Sequence, residues 1–269
     1  MTERAKQEGV VTMAEFAAKG ESPEILLWIG CAGAYDERYK KVVRAMVSLL
    51  QMAEVSFGVL GPEESCTGDP ARRAGNEFLF QMQAMANIQI LNGYNVKKIV
   101  TACPHCFNTL KNEYPDLGGV YEVWHHTQFL TALLSDGRLN TTDAPDKPGS
   151  AITYHDSCYL GRSNGVYDAP RKLLEFIHAE KVEMDRHGKN AFCCGAGGAQ
   201  MFKEPEKGLK DINIERTEEA LRTGAKVIAT ACPFCMTMLS DGIKNKEMEE
   251  TVKVLDVAEL LLQANVKKK

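Results

Sequence analysis

The nine cysteines of this 269-residue chain fall on one ruler used twice. Thr101-Ala-Cys-Pro-His-Cys106 returns as Thr230-Ala-Cys-Pro-Phe-Cys235. Cys31 precedes Cys66 by 35 positions, as Cys158 precedes Cys193. Cys66 lies 37 positions before Cys103, and Cys194 lies 38 before Cys232. No cysteine is left over, and an odd count argues against complete disulfide pairing. Thiolates gathered in this way are soft ligands, suited to zinc or to iron–sulfur cores.

A Cys-Pro-X-Cys pair read alone also describes a thioredoxin-like dithiol. That site needs only two cysteines, whereas each pair here has distant companions, and it does not predict Cys193-Cys194 bedded in glycine. Structural zinc takes four ligands. The second half offers five: Cys158, Cys193, Cys194, Cys232 and Cys235. A cubane [4Fe–4S] cluster needs only four, so a larger or non-standard iron–sulfur core would use them all. The first half offers Cys31, Cys66, Cys103 and Cys106, with Ser65 read as standing where the second half has Cys193. That set suits a [4Fe–4S] cluster, with zinc as the alternative.

Gly195, Gly197 and Gly198 are expected to let backbone N–H groups approach the cofactor's sulfur. The first half carries Thr67-Gly-Asp-Pro-Ala-Arg-Arg73 at that point. Arg72 and Arg73 are read as solvated or as offsetting negative charge. His105, His125, His126 and His155 lie near the cysteines in sequence. The cysteine count already fills the sites, so these rings are expected to hydrogen-bond or pack rather than ligate. His178 and His187 read as structural.

These ligands must be delivered by repeated elements. In the first half, strand Glu24–Gly30 leads to Cys31. A helix follows with Val42, Val43, Met46, Leu49 and Leu50 on one face. Strand Val55–Leu60 precedes Cys66, a helix covers Asn76–Gly93, and strand Lys98–Thr101 leads to Cys103. The second half runs in the same order. Strand Ala151–Tyr154 precedes Cys158, a helix covers Asp168–His178, and strand Lys181–Met184 precedes Cys193. A helix over Leu209–Thr223 and strand Lys226–Thr230 then lead to Cys232. Alternating strands and helices predict an α/β fold, built as two duplicated βαβ-type subdomains with small parallel sheets related by internal pseudo-symmetry. Ligands in such sheets gather outside the carboxyl ends of the strands, where these cysteines fall. The division reads as an N-terminal extension (1–22), a first cysteine-rich domain (23–136), a linker (137–149) and a second cysteine-rich domain (150–264).

Composition excludes several classes. Apolar residues make 44% and charged residues 25% of the chain, as in a globular domain with a core. A net charge of −4 and the lack of a basic stripe argue against nucleic acid as partner. Lys267-Lys-Lys269, the one basic cluster, reads as a solvated tail. The charged N-terminus lacks a signal-peptide core, and no apolar run approaches ~18 residues. The expected location is the cytoplasm, or the inner face of the membrane through a partner. Reduced thiols there favour metal ligation.

The doubled pattern Cys…Cys-Cys-Gly…Cys-Pro-X-Cys resembles the cysteine-rich CCG domain of the heterodisulfide reductases and their relatives, over about Glu24 to Gln263. Glu64-Ser-Cys-Thr-Gly-Asp-Pro-Ala-Arg-Arg73 and Trp124-His-His-Thr-Gln128 are similar to one branch. That branch holds oxidoreductases like electron-transfer-flavoprotein (ETF):quinone oxidoreductase and the iron–sulfur subunits of glycolate or lactate oxidases. The resemblance implies a non-cubane [4Fe–4S] cluster on Cys158, Cys193, Cys194, Cys232 and Cys235. It does not imply a second one, because the first half lacks a cysteine. It also implies electron transfer as the function, with a ferredoxin-like or flavoprotein partner and a quinone-reducing membrane partner. Disulfide reduction and a zinc-stabilised binding module are the alternatives. Branch members often carry ferredoxin-like and membrane segments ahead of this region, which is why separate partner subunits are expected.

Overall fold

The computed structural model describes residues 9–140, 151–204 and 208–264. Lys267–Lys269 and most of the expected linker lie outside these. The chain forms two compact units, Met1–Phe129 and Leu130–Lys269.

In chain order the first unit contains β1 (Val11–Thr12), α1 (Met13–Ala18), β2 (Ile25–Trp28), α2 (Gly30–Tyr35), α3 (Lys40–Met52) and β3 (Phe57–Val59). It continues with α4 (Asp69–Arg73), α5 (Glu77–Gly93), β4 (Lys98–Thr101), α6 (Pro104–Asn108) and β5 (Glu122–His125), and runs into α7 (His126–Ser135). The sheet order is β1-β3-β2-β4-β5, parallel throughout. Residues 11–18 thus supply an edge strand and a helix. Thr12 and Glu15 form a reciprocal capping box that starts α1.

The periodic face of α3 forms as the sequence predicts. Val42, Met46, Leu49 and Leu50 are buried, each contributing about 1.5–3 kcal/mol through apolar burial. Strand β2 is buried along its whole length, as a central parallel strand must be. Leu26, Trp28, Leu60, Phe80, Ile99 and Leu110 belong to one core cluster that also includes Cys103 and Cys106. The first cysteine set therefore grows directly out of the core.

The second unit contains β6 (Ile152–Tyr154), α8 (Asp168–Phe176), α9 (Ile212–Arg222), β7 (Val227–Thr230), α10 (Pro233–Asn245), β8 (Lys253–Asp256) and α11 (Val257–Gln263). Its sheet, β6-β7-β8, is also parallel. The expected α/β architecture with two small parallel sheets is present. One local expectation fails. Lys181–Met184 is not a strand, and only Lys181 makes a bridge, to Ile152. Two backbone bonds at Ile152, to the Glu180 carbonyl and from the Val182 N–H, make that bridge, and beyond it side chains hold the stretch, with Glu183 paired to Arg171 and the His187 ring bonded to the Met184 carbonyl.

Candidate metal centre

Four of the expected strands deliver a cysteine at their carboxyl ends. Cys31 follows β2, Cys103 follows β4, Cys158 follows β6 and Cys232 follows β7. Pro104 and Pro233 open α6 and α10, where a missing N–H costs nothing, so Cys103 and Cys232 sit at the helix caps. All nine cysteines are free thiols.

The structure gathers them into two sets, one per unit. In the first, Cys31 hydrogen-bonds Cys66, and Cys103 hydrogen-bonds Cys106. The bond from Cys66 pulls the Cys31 thiol down to about 6, and the same contact pushes Cys66 up. Cys106 is pushed up by its bond with Cys103 and by burial. In the second set, bonds from Cys158 and then Cys194 pull Cys193 down to about 2. Cys158 and Cys194 rise, chiefly through their bonds with Cys193. Cys194 Sγ lies 3.3 Å from Cys235 Sγ, and Cys235 also bonds Cys232.

This pattern is the electrostatic signature of crowding. One thiolate in each set is stabilised by its neighbours, and further ionisation is opposed by like charge and burial. Four or five thiolates could coexist here only around strong positive charge. The donors are sulfur throughout, so the residues fit an iron–sulfur core, with zinc the competing soft metal.

The glycine-rich loop is built as expected at Gly195, whose N–H donates to Cys193 Sγ at 3.2 Å with φ +93°. A Cβ there would press on Ile212 at 3.2 Å. Gly198 also has positive φ, at +67°, whereas a Cβ at Gly197 or Gly198 would meet no described atom within 4 Å.

The first set has the same loop, in the register that the equal 35-position spacings Cys31–Cys66 and Cys158–Cys193 give and one residue from the Ser65 reading. Gly68 N–H donates to Cys66 Sγ at 3.5 Å with φ +90°, so Cys66-Thr67-Gly68 is the counterpart of Cys193-Cys194-Gly195. Thr67 occupies the position of Cys194, with Oγ1 3.8 Å from Cys106 Sγ. Ser65 instead turns its hydroxyl to Asn87 Oδ1 at 2.9 Å. The reading of Ser65 as the missing ligand is therefore corrected to Thr67. The Cys-Thr-Gly triplet carried that signal, because the glycine fixes the loop register.

Polar side chains that the spacing did not reveal complete each site. Glu64 accepts from the backbone N–H groups of Ile29 (3.0 Å) and Gly30 (2.5 Å), fastening the turn that presents Cys31. Burial pushes its carboxyl up to about 7 against those bonds. Beside Cys31 and Cys66 opens a cavity of about 570 Å³, lined by Ile29, Tyr35, Val43, Arg44 and Glu64 among others. His105 Nδ1 lies 2.9 Å from Asp69 Oδ2. Burial raises Asp69, but hydrogen bonds from His105 and Arg73 outweigh it and hold the carboxylate low. Arg72 and Arg73 both pair with Glu113, so neither is a bare solvated charge.

In the second unit Arg216 is wholly buried, donating from Nε to His155 Nδ1 at 3.0 Å and from Nη1 to Glu219 Oε2 at 3.0 Å. His155 has a ring nitrogen within 4.8 Å of both Cys194 Sγ and Cys235 Sγ. Burial and the Arg216 charge lower its pKa to about 3, so the ring is neutral. His125 bonds Thr127 at 2.8 Å and stacks edge-on against His126. His187 is structural, as expected.

Two parallel α/β units, each closing a set of converging thiols at its strand ends, define a duplicated cysteine-rich metal-binding protein. Residues 25–111 and 152–240 both match the CCG cysteine-rich domain, and the chain belongs to that family. It is 48% identical to the "EtfAB:quinone oxidoreductase" of Syntrophomonas wolfei subsp. wolfei, over 98% of this chain and 37% of the relative. It is 47% identical to the "Probable iron-sulfur-binding oxidoreductase FadF" of Bacillus subtilis, over 97% and 37%. It is 34% identical to a dihydromethanophenazine:CoB--CoM heterodisulfide reductase chain of Methanosarcina barkeri, over 91% and 59%. The chain thus spans little more than a third of the first two relatives. Among solved structures, a hypothetical protein from Helicobacter pylori shares the fold, with a TM-score of 0.54 at 10% identity over 91% of this chain and 49% of that one.

Proposed function

We propose that this chain is the cluster-bearing part of an iron–sulfur oxidoreductase, passing electrons between a ferredoxin-like or flavoprotein partner and a downstream acceptor such as quinone. The observation that carries this reading is the convergence of all nine cysteines, as free thiols, onto two all-sulfur sets. The names of the relatives, an EtfAB:quinone oxidoreductase and an iron-sulfur-binding oxidoreductase, agree with it.

Cys158, Cys193, Cys194, Cys232 and Cys235 would hold a non-cubane [4Fe–4S] cluster, and Cys31, Cys66, Cys103 and Cys106 a four-cysteine [4Fe–4S] cluster. Such clusters, when bound, supply one-electron transfer. The chain's residues orient and insulate them. Cys103, Cys106, Cys194, Cys232 and Cys235 are buried, whereas Cys31, Cys66, Cys158 and Cys193 are half-buried. The half-buried thiols mark the sides from which a partner approaches, and the cavity beside Cys31 and Cys66 leaves one of them open. The N–H groups of Gly68 and Gly195 donate to sulfur and moderate its charge, with Gly197 and Gly198 completing the second loop.

Among the described residues no helix is long and apolar enough to cross a membrane. Quinone reduction would place the chain against the inner membrane face through a membrane partner, and one relative is named a probable membrane-anchored ferredoxin. A second reading, disulfide reduction at the five-cysteine set, draws on the half-buried Cys158 and Cys193 and on the heterodisulfide reductase relative.

Anaerobic purification with iron, sulfide and zinc analysis, EPR, and stopped-flow mixing with reduced flavoprotein tests the proposal. Iron and sulfide in both sets with rapid oxidation of the flavoprotein are expected. Zinc without iron or labile sulfide would sink it, and turnover of a disulfide by the isolated chain would favour the second reading.

A further inference from the structure

We propose that Thr67 is the residue that makes the two centres unlike. Its hydroxyl hydrogen-bonds the Cys106 sulfur where the second set has a fifth thiolate, restricting the first set to a four-cysteine cluster. The inference rests on the iron–sulfur reading above and assigns to one side chain the choice of cluster type.

The two loops correspond in three local relationships. In each, the first cysteine of the triplet accepts from the glycine N–H two residues on, at 3.5 Å for Cys66 and 3.2 Å for Cys193. In each, that same cysteine bonds the cysteine at the end of the first cysteine-bearing strand of its half, Cys31 or Cys158. In each, the middle residue is buried and turned toward the second cysteine of the Cys-Pro-X-Cys pair. Thr67 Oγ1 reaches Cys106 Sγ at 3.8 Å, and Cys194 Sγ reaches Cys235 Sγ at 3.3 Å.

The Thr67 backbone has little freedom to turn elsewhere. Gly68 sits at φ +90°, and a Cβ there would lie 2.8 Å from Phe80 Cδ2 and 3.2 Å from the Phe80 carbonyl. The Thr67 carbonyl accepts from the Tyr114 hydroxyl at 3.1 Å, and Asn87 donates to both Tyr114 Oη and the Cys66 carbonyl at 3.0 Å. The difference between the halves is therefore one of chemistry on a shared local geometry. A threonine alcohol keeps its proton at any working pH, so Thr67 donates to sulfur where a cysteine would bind as a thiolate. Such a donor draws charge from the thiolate and favours the reduced form of the cluster.

The test uses the full chain, purified anaerobically with 57Fe and read by Mössbauer and EPR spectroscopy alongside metal analysis. The wild-type protein is expected to give two distinct subspectra. Thr67→Cys is expected to abolish the first-set subspectrum and double that of the second, at unchanged iron content. Wild-type-like subspectra in fully loaded Thr67→Cys would overturn the proposal. So would identical clusters in both halves of the wild-type chain, although the iron–sulfur reading would survive that outcome. Zinc in the first set would defeat the cluster reading there and the proposal with it. A second pair of variants covers the case in which Thr67→Cys does not fold. Thr67→Val is expected to keep the first-set cluster type and shift its midpoint to more negative potential, with Thr67→Ser holding the wild-type midpoint. Equal midpoints in all three proteins would overturn the hydrogen-bond role.

Discussion

Arg216 Nε donates to His155 Nδ1 at 3.0 Å in the buried interior of the second unit. A guanidinium is always protonated, so Nδ1 must be the accepting nitrogen and the neutral ring carries its proton on Nε2. A metal-ligating imidazole shows the reverse arrangement, donating its remote N–H outward. One ring nitrogen of His155 lies within 4.8 Å of Cys194 Sγ and Cys235 Sγ, and a neutral ring whose Nδ1 is taken by Arg216 can offer those sulfurs an N–H but no lone pair to a metal.

That assignment makes His155→Phe informative. The variant is expected to keep full iron and sulfide while the second centre's midpoint moves to more negative potential, because one donor to sulfur has been lost. Redox titration followed by EPR reads this directly. Loss of iron from the second set alone would make the ring a ligand after all.

Arg216 is also a buried charge with a specific partner. Glu219, itself buried, receives Arg216 Nη1 and the Arg186 guanidinium. Arg216→Met removes the central cation and leaves Glu219 with the partly exposed Arg186. A loss of about 3–5 kcal/mol in unfolding free energy is expected for breaking one side of such a pair. Urea denaturation measures it, and a loss below ~1 kcal/mol would show that Arg186 alone suffices.

Glu64 plays a comparable part in the first unit, where its two oxygens accept the N–H groups of Ile29 and Gly30. Glu64→Gln keeps the shape but turns an amide N–H₂ against one of those donors. One bond is lost and a buried N–H is left unpaired, which costs about 1–3 kcal/mol. The expected result is a lower urea midpoint, with faster loss of iron from the first set than from the second. Equal release rates from both sets would mean that the turn at Gly30 does not need this carboxylate.

The cysteine ruler was legible because a ligand set tolerates little change in spacing, and the strands were legible because buried parallel strands read as continuous apolar runs. Strand Lys98–Thr101 and the helix ending at Gly93 form with the limits the residues suggest. The missing ligand was harder to place. Ser65 and Thr67 are both hydroxyl residues beside Cys66. Counting forward from Cys31 sets Thr67 against Cys194, whereas counting back from Cys103 comes nearer to setting Ser65 against Cys193, so counting alone does not separate them. The positive φ of Gly68 does, since it locks the loop so that the residue before it faces Cys106. Glu64, Asp69 and Arg216 meet their partners 34, 36 and 61 residues away, a separation that no local pattern encodes. The expected strand Lys181–Met184 pairs with β6 only at its start, through the backbone bonds of Ile152 with Glu180 and Val182, and Arg171 holds Glu183 just beyond through a contact between side chains.

That contact yields the last prediction. Arg171 bonds Asp156 at 2.7 and 2.8 Å and Glu183 at 2.9 and 3.2 Å. Burial raises the Glu183 carboxyl, but the hydrogen bond and charge of Arg171 outweigh it and hold the group below its ordinary 4.5. Between the folded and unfolded values the unfolded chain binds more protons, so stability rises with pH across that window. The contribution is complete above about pH 4.5, and it is lost as pH falls through the lowered folded value. Glu183→Gln removes it. The wild-type protein should therefore exceed the variant by about 1 kcal/mol near neutrality, screened by the partial exposure of the pair. The gap should close on acidification below about pH 4. Urea midpoints of both proteins across that range check the sign, and a gap that widens as pH falls would reverse the assignment.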